Sequence, residues 1–349
     1  MAVQSFLTGN RDSTMAYNRG GRFDGKERGG TLEYWRFRMT RRVGLLSAAI
    51  VLFVALGPLP AMAQDSGLTV LPFLKLGVGA RPASIGEAYV SVVADASATF
   101  WNPAGLLRIE RNDVMGAHHE WIQDLRHEFV SYGAHRGRHG LGISFIGLYT
   151  DDIEGRDETG AVTGHFGYSN SSFSGSYAFQ VTETLGLGAT ARYVRESLVA
   201  TTAGDLSLSG FAFDFGATWR TPLTGVMTGA TVRHLGSTMS YDFEGAQDFD
   251  LPTALQVGVS YQRPDLRNGN LIVAADFLGT RGEDASFRFG AEYAYLGQFL
   301  LGAGYKTGLD VEDVSFGVGY QKRVRVHYAY IPISNDLGSS HRISLGYGW

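Results

Sequence analysis

Phe211-Ala212-Phe213-Asp214-Phe215-Gly216-Ala217-Thr218-Trp219-Arg220 alternates without a slip between greasy and small or polar residues. Successive side chains on a β-strand point to opposite sides, so Phe211, Phe213, Phe215, Ala217 and Trp219 share one face, and Ala212, Asp214, Gly216, Thr218 and Arg220 share the other. The same two-residue period recurs down the chain. Phe287, Phe289, Ala291, Tyr293 and Tyr295 alternate with Ser286, Arg288, Gly290, Glu292 and Ala294. Val324, Val326, Tyr328 and Tyr330 alternate with Arg323, Arg325, His327 and Ala329. One greasy face with aromatic ends and one small, polar or charged face is the lipid-out, lumen-in pattern of a membrane barrel, although a soluble sandwich with one wet face alternates too.

Connection lengths separate these readings. Fourteen candidate strands lie near 113–120, 127–134, 139–149, 170–181, 184–195, 211–220, 226–235, 253–263, 270–277, 286–295, 299–306, 314–320, 323–332 and 341–349. The number is even, as bacterial barrels require. Long gaps at 150–169, 196–210 and 236–252 alternate with tight links such as Thr182-Glu183 and Leu296-Gly297-Gln298. Long external loops and short periplasmic turns produce this rhythm, and they place both termini in the periplasm. The expected fold is an all-β transmembrane antiparallel barrel of about 14 strands, spanning residues 113–349.

Composition agrees. The 349 residues include 47 Gly, 17 Tyr and 21 Phe, a profile suited to many short strands closed by turns. With no Cys, disulfides, zinc fingers and thiol chemistry are excluded. A net charge of −4 with dispersed Lys and Arg argues against nucleic acid as a partner.

Arg41 and Arg42, the apolar run 43–56 and Ala61-Met62-Ala63 before Gln64 have the three parts of a secretion signal. Residues 39–63 are therefore read as a cleaved signal peptide, and the polar stretch 1–38 as an extension that precedes the true start at Met39. Residues 64–112 break the strand rhythm. A segment of this length ahead of the first strand suits a hatch that plugs the lumen, with a small periplasmic domain as the alternative.

Motifs for chemistry are weak. Gly77 and Gly79 invite a nucleotide reading, but Pro82 sits at the third glycine position and no βαβ unit follows. His118, His119, Glu120, His127, His135 and His139 scatter over strands and turns rather than forming a ligand shell. Asp151, Asp152, Glu154, Asp157 and Glu158 lack the spacing of a calcium loop. No Gly-x-Ser-x-Gly elbow is present, and the expectation is neither an enzyme nor a cofactor or metal protein. The inward residues Arg192, Asp214, Arg220, Asp276, Arg288, Glu292 and Arg325 fit a solute path or an ion ladder, and the ladder is favoured because buried charges must pair.

Two stretches carry a family likeness. Residues 73–107 run from Phe73-Leu74-Lys75-Leu76-Gly77-Val78-Gly79-Ala80-Arg81-Pro82 to Trp101-Asn102-Pro103-Ala104-Gly105-Leu106. The C-terminal stretch is Tyr328-Ala329-Tyr330-Ile331-Pro332 with His341 to Trp349. Together they resemble the PorV/PorQ family of outer-membrane proteins, which is similar in turn to the FadL transporters of hydrophobic compounds. The resemblance implies a fourteen-stranded barrel in the bacterial outer membrane. It implies that residues 64–112 are the hatch, with Gly77, Gly79, Arg81 and Pro82 as its first motif and Asn102, Pro103, Ala104 and Gly105 as its second. Ile343, Leu345, Tyr347 and Trp349 become the terminal signal read by the barrel-assembly machinery. Functionally it implies an accessory or shuttle of type IX-like secretion that binds cargo or translocon. The alternative is FadL-like passive transport of a hydrophobic ligand. Peptides from residues 1–38 are expected to be absent from digests of cell extracts, and the mature protein is expected to begin at Gln64; recovery of the extension by mass spectrometry would reject the Met39 start.

Overall fold

The computed structural model describes residues 69–349 apart from 121–124, 151–152, 157–158, 201–205, 244–245, 309–311 and 334–337. The extension 1–38, the signal segment 39–63 and residues 64–68 lie outside the described residues.

Alternation becomes one antiparallel sheet. Its strands are β1 (Asn112–Glu120), β2 (Arg126–Arg136), β3 (His139–Tyr149), β4 (Ile153–Arg156), β5 (Val162–Gln180), β6 (Leu185–Ala200), β7 (Leu206–Arg220) and β8 (Val226–Leu235). They continue as β9 (Ala254–Leu266), β10 (Gly269–Thr280), β11 (Ser286–Tyr295), β12 (Phe299–Lys306), β13 (Val314–Gln321), β14 (Val324–Pro332) and β15 (Ser339–Gly348). β3 pairs with β5, and β15 returns to β1, with Asp113 opposite Gly348 and Glu120 opposite His341. Fourteen of the fifteen strands therefore close a ring, and β4 pairs only with the start of β5, beyond the ring.

Burial follows the two-residue period. Phe211 and Phe215 are 59% and 54% exposed, while Ala212 and Asp214 between them are 0% and 1% exposed. An apolar band that faces outward while charges face inward suits a wall between lipid and a filled lumen. Arg220, expected inside, is exposed at the end of β7.

Two expectations change. The gaps at 150–169 and 196–210 are mostly strand: β4 and β5 pair from Ile153 to Phe166, and β6 and β7 pair outward to Leu198 and Leu206. Strand that projects beyond lipid has water on both sides and needs no apolar alternation, so the sequence period hides it. The first and last described residues also lie at opposite ends of the ring, while the N-terminus itself falls outside the described residues. Asn112 and Trp349 exchange backbone hydrogen bonds at the short-turn end, but Thr69 bridges Asp250 between β8 and β9, at the long-loop end. The chain before β1 thus runs the length of the lumen before the first strand begins.

That segment carries a 3-10 turn (Pro72–Lys75), helix α1 (Ala80–Ser84), helix α2 (Ala98–Trp101) and a second 3-10 turn (Pro103–Arg108). It packs against wall strands on every side. Leu106 lies against Gly140 and Gly142 of β3, Pro103 against Gly188 of β6, Val90 against Gly229 and Gly258 of β8 and β9, and Ile85 against Gly290 of β11. Inward glycines let backbone meet backbone here: a Cβ on Gly304 would sit 1.9 Å from the Gly86 nitrogen. Trp101, Phe100, Tyr89 and Phe73 of this segment are buried and form the main apolar core.

An outward face in lipid makes a quantitative demand. Phe213→Arg is expected to cost about 2–4 kcal/mol in urea unfolding from lipid vesicles, whereas Leu223→Arg in the β7–β8 turn costs little; equal costs would place Phe213 in water. An unboiled sample is expected to migrate anomalously on a denaturing gel, as a closed barrel does.

Candidate functional site in the plugged lumen

Residues 85–87 form the turn after α1, with Gly86 and Glu87 at φ +63° and +58°. The left-handed turn sends the Glu87 carboxylate to the wall, where three strands present cations. Arg288 Nη1 of β11 lies 2.8 Å from Glu87 Oε2, Arg342 Nη1 of β15 lies 2.8 Å from Oε1, and Lys306 Nζ of β12 lies 3.5 Å from Oε2. All four side chains are buried. Burial opposes the Glu87 charge, yet Lys306, Arg288 and Arg342 together outweigh it and hold the carboxyl well below the usual carboxylate range. Gly77 is required beside it, because a Cβ there would lie 2.2 Å from Glu87 Oε1.

The expected hatch residues are brought to this assembly and its neighbours. Arg81 makes a bidentate pair with Glu292 of β11 at 2.8 Å for both bonds. Burial works against the Arg81 charge, but Glu292 holds its pKa well above the usual value. Gly79 caps α1 at φ +89°, and the Pro82 carbonyl accepts from the Glu87 N–H. Asn102 ties two hatch turns to the wall: Nδ2 donates to Val90 O and Ala217 O at 2.9 and 3.0 Å, and Oδ1 accepts from Ala104 N. Gly105 packs on Val93. Asp95 accepts from Ser97 and from the Tyr89 hydroxyl; burial opposes its charge, and Arg81 with Ser97 keeps it below the usual range.

The ion-ladder reading of the inward charges is what the geometry shows for most of them. Arg192 pairs with Asp214 at 2.9 Å, Arg325 with Asp113 at 2.6 Å, and Asp276 accepts from Val90 N and Gln256. Among the histidines, His119 and His127 are buried edge to face, while His118 pairs with Glu128. Among the described residues no cluster suits a metal ion. Ile343, Leu345, Tyr347 and Trp349 line the outer face of β15, and the rings of Tyr347 and Trp349 stack at 5.5 Å.

Sequence reasoning missed Glu87, Lys306 and Arg342. Arg342 alternates with Ile343 and so carried an inward signal, but Glu87 lies in a stretch without a period, and nothing local marks it.

Among the described residues, two concavities bear on function. One, of about 400 Å³, lies in the lumen toward the long-loop end, where the Glu87 cluster meets Leu74, Leu76, Pro252 and Leu278. The other, of about 650 Å³, is a groove on the outward wall, where Gly175, Ala189 and Ala191 leave space between Leu141, Ile143, Phe213 and Phe215. The β2–β3 and β3–β5 ladders behind it run without a register shift, so the wall there is closed.

Glu87→Gln leaves three buried cations without their central carboxylate, and is expected to destabilise the barrel by about 3–5 kcal/mol at pH 7. The folded-state pKa of Glu87 is lowered, so its stabilisation is present above the unfolded value of about 4.3 and is lost as pH falls further. Urea midpoints of wild type and E87Q should converge below that pH; a pH-independent gap would contradict the ionised hub.

Comparison with known proteins places this architecture. The fold is similar to the Pseudomonas putida toluene transporter TodX, at TM-score 0.53 and 13% identity over 78% of this chain and 99% of that one. It is also similar to the monoaromatic hydrocarbon channel CymD, at TM-score 0.52 and 15% identity over 82% and 99% of the two chains. A Pseudomonas aeruginosa FadL homologue follows at TM-score 0.50 and 13% identity, covering 78% and 98%. At such identities the likeness speaks for the fold. No curated protein matches the chain in sequence. Residues 62–207 match an uncharacterised protein family (UPF0164). Residues 138–347, more than half of the chain, match the type IX secretion system membrane proteins PorP/SprF, and this outer-membrane β-barrel belongs to that family.

Proposed function

We propose that this protein is a non-enzymatic accessory or shuttle of a type IX-like secretion system, of PorV/PorQ type, which binds cargo or translocon at its long-loop end. Membership of the secretion family is the observation that carries the reading. The filled lumen supports it: the segment 69–111 occupies the ring, and Glu87, Arg81 and Asn102 tie it to strands on several sides. A barrel so plugged offers a partner its rim and loops rather than an open bore. The long connection 236–252, with Tyr241 and Phe249 in edge-to-face contact, and the β4–β5 hairpin supply that rim. In this reading the long loops face outward, residues 39–63 direct export, and the β15 face ending in Trp349 is the segment that the barrel-assembly machinery recognises.

The second reading is passive transport of a hydrophobic small molecule. It is favoured by the 400 Å³ cavity, whose Leu74, Leu76 and Leu278 face a lumen in a fold shared with hydrocarbon channels. The buried cations in the same cavity count against an apolar passenger.

A native pull-down from membranes is expected to recover a secretion translocon component or exported protein, and deleting the β4–β5 hairpin from Ile153 to Phe166 is expected to abolish that capture while unboiled gel migration stays unchanged. Recovery of lipid or apolar solute alone would reverse the order of the two readings.

A further inference from the structure

The lumenal cavity contains a cation that the ion ladder leaves over. Arg233, at the end of β8, is 5% exposed and lines the cavity. Its guanidinium lies 5.0 Å from the ring centre of Phe100 and 5.7 Å from that of Trp101. Nη2 donates to Gln256 Oε1 at 3.2 Å, and Nε has no hydrogen-bond partner. Among the described residues no carboxylate pairs with it. The nearby acids are committed elsewhere: Asp214 accepts from Arg192 and the His234 N–H, and Asp276 from Gln256 and Val90. A buried guanidinium stacked on aromatic rings is held in place but not neutralised.

Its neighbours repeat the deficit. The cluster of Glu87 and Glu312 sets two carboxylates against Arg288, Lys306 and Arg342, the Lys75–Glu283 pair is neutral, and Arg233 adds one more cation. The cavity wall therefore carries two positive charges in excess, or one when Asp276 behind Gln256 is counted. Nε of Arg288 and of Arg342 are also buried without partners. His234, in the same wall, donates from Nδ1 to the Pro252 carbonyl at 3.2 Å and is enclosed by protein at Nε2.

We propose that this cavity is a binding site for a small oxyanion, a carboxylate or phosphate group, held chiefly by Arg233. The charge excess selects an anion, and the planar guanidinium suits the oxygens of a carboxylate or phosphate group. A volume of about 400 Å³ lies within the range of small-molecule pockets. The inference is independent of the secretion and transport readings, since a bound anion could serve a plug, a gate or a passenger.

The test uses the purified full-length barrel in detergent micelles, with inorganic phosphate, gluconate, succinate and laurate as probes. Phosphate or gluconate should raise the unfolding temperature and bind in calorimetry, phosphate alone marking an inorganic ligand and gluconate alone an organic acid. Succinate should bind as an organic acid of the same class. Arg233→Met should weaken binding at least ten-fold, and Arg233→Lys less. Without an anion, R233M should unfold no earlier than wild type, because an unmatched buried cation is removed, and it should keep the unboiled gel migration of the native barrel. Four outcomes would overturn the proposal: no effect of either anion on wild type, an unchanged affinity in R233M, a loss of stability in R233M without ligand, or a response to laurate alone.

Discussion

A backbone N–H or C=O in the hydrocarbon core of a membrane has no water to bond, so a sheet that crosses it must close on itself. The pairing of β15 with β1, eight residues against eight from Asp113 to Glu120, meets that demand here. The rest of the molecule follows from closure. A closed ring has an outside that must be apolar and an inside that lipid cannot fill, and each strand serves both by alternating. The inside then needs contents, and the chain supplies them from the segment ahead of the first strand.

Filling the ring with a segment that is only partly apolar creates the second constraint. Backbone turns and charged groups inside a barrel must be paired where they lie. Inward glycines such as Gly304 let the hatch backbone touch the wall, and Asn102 spends both ends of its amide on turns and strand. Glu87 is the electrostatic counterpart: one carboxylate, reached through a left-handed turn, joins β11, β12 and β15 through their cations. The Glu87 contacts link residues more than two hundred positions apart in sequence, so they exist only in the closed ring.

The family and the fold neighbours meet in this architecture from different sides. The match to type IX secretion membrane proteins covers residues 138–347, which hold the strands from β3 into β15, whereas the structural likeness to a hydrocarbon transporter covers 78% of this chain and 99% of that one. A shared scaffold does not settle a task. The contents of the lumen bear on it more closely: the segment 69–111 fills the ring, and the cavity beside it has more cations than carboxylates in its lining.

The repetition of two-residue alternation, from Phe211 to Arg220 and on to Trp349, determined the barrel, its strand number and which side of each strand meets lipid, because those depend on local periodicity and turn spacing alone. The same pattern placed Arg192, Asp214 and Arg288 inside, as found. It failed where the period lapses. β4 and the outer halves of β5 and β6 mix Gly, Ser and charged residues into a shorter alternation, and residues 69–111 fold against walls rather than along a repeat. That Glu87 meets Arg288, Lys306 and Arg342, that Arg233 meets no carboxylate among the described residues, and that Thr69 and Trp349 lie at opposite ends were decided by tertiary structure only. Each depends on how strands far apart in sequence come round the ring, and closure, not local pattern, sets those distances.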